Sequence, residues 1–164
     1  MKKVAIVMGS ASDLPVMKKA ADVLDQYEIP YEVHVYSAHR TPAEACEFAS
    51  KARENGFGAI IAGAGMAAAL AGVLAAHTIV PVIGVPLKSA ALDGVDALLA
   101  TCMMPSGIPV ATVAIDGAKN AAYLAAEIIA GSDEALAEKI LADRQKMHDD
   151  VISKNNEVEK SFAK

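Results

Sequence analysis

The chain has 164 residues, enough for one compact domain with a proper core, and its formal net charge of −5, with no basic stripe, argues against a duplex DNA or RNA partner. Hydrophobic residues make up 54% before the 11 glycines are counted, above the ~45–50% usual with glycine included; in so small a domain this points to apolar area buried between copies, a homo-oligomer. Cys46 and Cys102 lie far apart, fit no metal or redox spacing, and read as the reduced thiols of a cytoplasmic protein.

Met1-Lys2-Lys3 leads into five apolar residues, 4–8, before Gly9. That run is too short for the apolar region of a secretory signal and suits a buried parallel strand. Ser12 is the candidate N-cap of the next helix, with Asp13 and Pro15 in its first turn. Val16, Met17, Ala20, Ala21 and Leu24 give that helix one buried face. After Pro30, residues 31–36 form the second strand, and Val33 and Val35 alternating with Glu32 and His34 suit an edge. Thr41-Pro42-Ala43-Glu44 combines a capping box with proline at the first helical position, opening a helix that ends near Asn55-Gly56.

Residues 59–62 read as the third strand, 66–77 as an all-apolar helix buried on most sides, and 81–85 as the fourth strand. Residues 59–85 could span a membrane by count, but Gly63, Gly65, Gly72, His77, Pro81 and Gly84 divide them into core pieces. A short helix over 92–100, a fifth strand over 110–115 and a helix over 120–130 stopped by Gly131 follow. The last segment, 133–159, places Leu136, Ile140, Leu141, Met147 and Val151 on one side of an amphipathic helix that reaches beyond its own subunit. Residues 154–164 look frayed.

Strands alternating with helices mean a parallel sheet with right-handed crossovers. Five strands fit an α/β flavodoxin-like three-layer sandwich. The chain reads as a single domain over 1–164, with a core over 3–131 and a C-terminal helix over 133–159. In this architecture ligands gather outside the carboxyl ends of the strands, where three segments stand out. In Gly9-Ser10-Ala11-Ser12-Asp13, a helix start with two hydroxyls favours a phosphate, while Asp13 suits sugar hydroxyls. In Ser37-Ala38-His39-Arg40, an imidazole that carries protons near neutrality stands beside a fixed cation for phosphate or carboxylate. Gly63-Ala64-Gly65-Met66 is a glycine turn that admits a flat ligand. Its likeness to a dinucleotide fingerprint lacks the acidic residue after the next strand, where Val85-Pro86-Leu87-Lys88 stands. There is no Walker A loop, no metal-ligand spacing and no serine nucleophile elbow, so no metal or cofactor is expected. His34, His77 and His148 read as structural.

Taken together these strings resemble the PurE family, the N5-carboxyaminoimidazole ribonucleotide mutases of purine biosynthesis. The likeness runs over about residues 4–130. It is carried by Gly9-Ser10-x-Ser12-Asp13, Ser37-Ala38-His39-Arg40-Thr41-Pro42, Ile60-Ile61-Ala62-Gly63-Ala64-Gly65, Pro81-Val82-Ile83-Gly84-Val85-Pro86 and Met104-Pro105-x-Gly107-Ile108-Pro109-Val110. The resemblance implies a homo-octamer that moves a carboxylate from the exocyclic nitrogen of an aminoimidazole ribonucleotide to ring carbon 4, without metal, ATP or biotin. It puts the catalytic histidine on His39 and phosphate and ribose contacts on Ser10, Asp13 and Arg40. Ser12, Ser37, Ala38, Gly65, Met66 and Leu70 are expected around the same substrate. The family's third loop commonly reads Gly-Gly-Ala-Ala-His-Leu-Pro-Gly; here it is Gly65-Met66-Ala67-Ala68-Ala69-Leu70-Ala71-Gly72, so a second histidine is replaced by Ala69. Lys88 stands where glutamine is common. The carboxylase branch, which uses free CO2, typically carries Gly-Arg-Ser-Asn in this loop, and that string is absent. Besides the mutase, that carboxylase and a non-catalytic nucleotide-phosphate-binding module are the alternatives.

Overall fold

Alternating apolar runs and helix starts resolve into one parallel sheet of five strands in the computed structural model, which describes residues 1–163. The strands are β1 (Lys3–Met8), β2 (Tyr31–Val35), β3 (Phe57–Gly65), β4 (Val82–Leu87) and β5 (Ala111–Thr112), in the order β2-β1-β3-β4-β5. The helices are α1 (Leu14–Gln26), α2 (Pro42–Lys51), α3 (Leu70–His77), α4 (Val95–Cys102), α5 (Ala118–Ala130) and α6 (Glu134–Phe162). This is the flavodoxin-like order, whose direction of winding reverses between β1 and β3. β2 is the edge that its alternating pattern predicts.

Residues of β1 divide by parity, as the strand period requires. Val4, Ile6 and Met8 pack with α1, α5 and the first turns of α6, while Ala5 and Val7 pack with α2 and α3. Both faces of the central strands are therefore covered, and every residue of β4 is buried. Gly63 lets α1 approach closely: a Cβ there would lie 2.4 Å from Met17 Sδ. Met8 is in register with Val35 on one side and Gly63 on the other, so the carboxyl tips of β2, β1 and β3 stand level.

Several local expectations differ from the structure, some through competing local hydrogen bonds and some through tertiary pairing. Ser12 is not the cap: Ser10 caps a short 3-10 turn (Ala11–Asp13), and α1 starts after Asp13. The Thr41 capping box does not form, because the hydroxyl turns back to Ser37 instead. β3 is longer than predicted, because its ends pair with Lys3 of β1 and Leu87 of β4. The helix expected over 66–77 begins only at Leu70, after a tight turn, and is buried on one face through Leu70, Ala71 and Leu74, with Ala76 and His77 exposed. α4 starts at Val95, behind Asp93 and Gly94 in the left-handed region. The fifth strand shrinks to two residues paired with Ile83 and Gly84.

The C-terminal helix continues to Phe162 where fraying was expected, and Lys164 lies outside the described residues. Of the residues expected along its apolar side, Leu136 and Ile140 are buried against the core, whereas Leu141, Met147 and Val151 are exposed. Among the described residues no helix is long and apolar enough to cross a membrane.

Candidate functional site

Three chain corners meet where the tips of β1, β2 and β3 stand level. The first follows β1. Gly9 N–H donates to Gly63 O at 3.1 Å, tying the corner to β3. Ser10 and Asp13 cap each other's turn: Ser10 N–H donates to Asp13 Oδ2 at 3.0 Å, and Ser12 N–H donates to Ser10 Oγ at 3.3 Å. Ser12 Oγ also donates to Ser10 Oγ at 2.8 Å, so the two hydroxyls present one patch. Burial pushes the Asp13 carboxyl above its ordinary 3.8, against the Ser10 N–H, which pulls it down.

The second corner follows β2. It is closed by Thr41 N–H to Ser37 O at 2.9 Å, Ser37 N–H to Thr41 Oγ1 at 2.8 Å, and Thr41 Oγ1 to Ser37 O at 3.2 Å. Those bonds use the hydroxyl that the sequence assigns to a cap and lock the turn that carries His39. Arg40 N–H donates to Ser37 Oγ at 3.2 Å, and its Nη2 reaches Gly9 O at 3.3 Å, joining the first two corners. The His39 ring is exposed and makes no hydrogen bond within the chain among the described residues. A rigid backbone thus presents a free imidazole.

The third corner is a turn from Gly65 to Ala68, closed by Ala68 N–H to Gly65 O at 3.0 Å. Met66, at its second position, has φ +53°, and its side chain is 65% exposed. The three corners enclose a cavity of about 550 Å³, within the usual range for small-ligand sites. Ser10, Ser12, Asp13, Ser37, Ala38, His39, Arg40, Gly65, Met66 and Leu70 all lie on its wall, so every residue singled out from the sequence is brought there. Sequence reasoning missed a fourth wall, formed by Leu87, Lys88 and Ser89 at the end of β4. The signal was available: β4 lies beside β3 in this winding order, so the residue after its last apolar position must reach the same crevice.

The other histidines are engaged elsewhere. His34 stacks on Tyr36 with centroids 5.3 Å apart and meets Glu32 at 3.2 Å. His77 Nδ1 lies 2.8 Å from Val73 O, and His148 lies 3.0 Å from Asp149. Among the described residues no cluster of three His, Cys, Asp or Glu side chains could hold a metal ion. The cavity therefore combines one proton carrier, two fixed cations (Arg40 and Lys88), a hydroxyl patch, one half-buried carboxylate and an apolar wall from Met66 to Leu70.

A family model described as AIR carboxylase matches residues 3–150. The chain is 59% identical over 147 residues to the N5-carboxyaminoimidazole ribonucleotide mutase of Pyrococcus abyssi, covering 90% of this chain and 84% of that one. It is 51% identical over 152 residues to the enzyme of that name from Escherichia coli strain K12, covering 92% and 90%. The crystal structure of Treponema denticola PurE matches with a TM-score of 0.86 at 29% identity, over 94% of this chain and 96% of that one.

Proposed function

The chain belongs to the AIR carboxylase family and acts as an N5-carboxyaminoimidazole ribonucleotide mutase in purine biosynthesis; we propose that His39 carries the proton in that reaction. The observation behind this reading is the free imidazole on a locked turn, beside hydroxyls and a guanidinium that suit a ribose phosphate. Arg40 with Ser10 and Ser12 takes the phosphate, and the Asp13 carboxylate accepts from the ribose hydroxyls. The flat imidazole ring then lies against the Gly65 turn, with Ser37 and Ala38 on one side and Met66 and Leu70 on the other.

The carbamate N–C bond breaks as His39 gives a proton to the exocyclic nitrogen, releasing CO2 inside the cavity. Ring carbon 4 attacks that CO2 and forms the new C–C bond. His39 then takes the proton from carbon 4, so no proton is gained or lost overall. One residue serves both transfers because the two ring positions are adjacent and the CO2 is held near its nucleophile. With Ala69 in the third loop, no second imidazole shares this work.

The test is conversion of N5-carboxyaminoimidazole ribonucleotide in the absence of ATP. His39→Asn is expected to lower turnover by roughly 10²–10⁴-fold, the range for a lost general acid–base, while still binding the ribonucleotide. An active His39→Asn variant overturns the assignment.

The same reading takes residues 1–164 as one functional unit, cytoplasmic and homo-oligomeric, with the octamer that the family resemblance implies. In its support, Leu141, Met147, Val151, Ile152, Val158 and Phe162 are exposed along α6. A second cavity of about 700 Å³, lined by His77, Ile79, Pro81 and Pro109 among others, opens at the opposite end of the sheet from the site, where another copy can pack.

A further inference from the structure

We propose that Lys88 binds the migrating carboxylate, an inference that rests on the mutase reading. The substrate is anionic at two ends, its phosphate and its carboxylate, and the cavity wall carries two fixed cations, Arg40 and Lys88. Arg40 belongs to the corner shared by β1 and β2, through its bond to Gly9 O. Lys88 is the first residue after β4, and β4 lies two strand positions from β1, past whose end the Arg40 guanidinium sits at Gly9 O, about 10 Å at the usual strand spacing. The two cations therefore stand at opposite sides of the cavity, separated by a distance that suits a ribose and an imidazole ring.

The position of Lys88 is set by its backbone. Its N–H donates to Asp116 Oδ1 at 3.0 Å, and Asp116 N–H in turn donates to Pro86 O at 2.9 Å. Leu87 is paired with Gly65, so Lys88 stands beside the third loop. That loop presents Met66, Ala67 and Ala69 to the cavity, an apolar wall that suits neutral CO2 and offers no side-chain donor to the carboxylate that CO2 becomes. Lys88 supplies the missing charge.

Its Nζ now rests 3.1 Å from Asp93 Oδ1, with both side chains largely exposed. An exposed pair of this kind contributes only ~0–1 kcal/mol, so a carboxylate bound in the cavity displaces Asp93 at small cost. Between turnovers Asp93 holds the ammonium at the rim. Asp13, the remaining charged side chain on the wall, lies across the cavity after β1.

The test compares equilibrium binding of two ribonucleotides that differ only at carbon 4, aminoimidazole ribonucleotide and its 4-carboxylate. Lys88→Met is expected to weaken binding of the carboxylate about tenfold or more, as loss of a charge-assisted hydrogen bond does. Binding of the uncarboxylated compound should change by less than about twofold, because its phosphate end stays paired. Lys88→Arg should restore most of the difference. A Lys88→Met variant that keeps the wild-type preference, or that loses both ligands equally, overturns the assignment to Lys88 while the mutase reading stands. A wild-type chain that binds neither ribonucleotide overturns both.

Discussion

Asp13 shows at the scale of one residue how the fold and the site share a group. Its Oδ2 accepts the Ser10 N–H at 3.0 Å, which shapes the corner, and burial raises its carboxyl above 3.8. A carboxyl raised on folding is easier to protonate in the folded chain than in the unfolded one. Its contribution to stability is therefore full below 3.8 and is lost as pH rises through the folded value. Asp13→Asn removes that dependence. The stability of the wild type relative to Asp13→Asn should then fall as pH is raised from acid towards neutrality and level off above the folded value, read from urea unfolding of both proteins across a pH series. A relative stability that climbs with pH contradicts this. The same desolvation makes the ionised carboxylate a stronger acceptor for the hydroxyls it is proposed to hold.

Among the elements, the β3–α3 connection differs most from its expected form. Periodicity cannot find the start of an all-apolar helix, because every register looks equally buried. The start is set by the turn at 65–68, where Met66 takes a left-handed conformation that glycine adopts freely. For other L-residues that conformation costs roughly 1–2 kcal/mol, and the exposed Met66 side chain recovers little of it by burial. Met66→Gly is therefore expected to stabilise the chain by about 1 kcal/mol, seen as a higher denaturation midpoint with an unchanged slope. A lower midpoint would mean that thioether packing outweighs the strain. Thr41 carries the parallel lesson. Thr-Pro-x-Glu is a sound helix-start signal and α2 does begin at Pro42, but the hydroxyl closes the His39 turn instead of capping the helix.

For the whole molecule, α6 is the element least covered by the rest of the chain. It runs 29 residues, Glu134–Phe162, about 43 Å at 1.5 Å per residue. Its first half is held by Leu136 and Ile140, by Tyr27 Oη donating to Asp143 at 2.7 Å, and by Arg144 to Glu127 at 2.6 Å. Beyond Arg144 every described residue is exposed, so this part of the helix lacks the tertiary packing that supplies most helical stability in proteins. A chain ending after Gln145 should keep the circular dichroism of the α/β core. It should sediment as an assembly of fewer copies than the full chain, and its melting temperature should depend less on protein concentration. An equal number of copies in the two assemblies would rule out a role for this helix in assembly.

Short-range information was enough for the strand and helix alternation, for the edge character of β2, and for the three polar corners with His39 among them. Each depends on residues within a few positions of one another, and parallel winding alone sends those corners to one rim. Folding in three dimensions decided which hydrogen bond the Thr41 hydroxyl makes, that Ser10 replaces Ser12 as the cap, and that Lys88 joins the wall. The last of these depends on a partner far along the chain, Asp116 for the Lys88 N–H, whereas the Thr41 hydroxyl and the Ser10 cap choose among partners two to four residues away, and a hydroxyl or backbone N–H commits to whichever partner the folded backbone brings within about 3 Å.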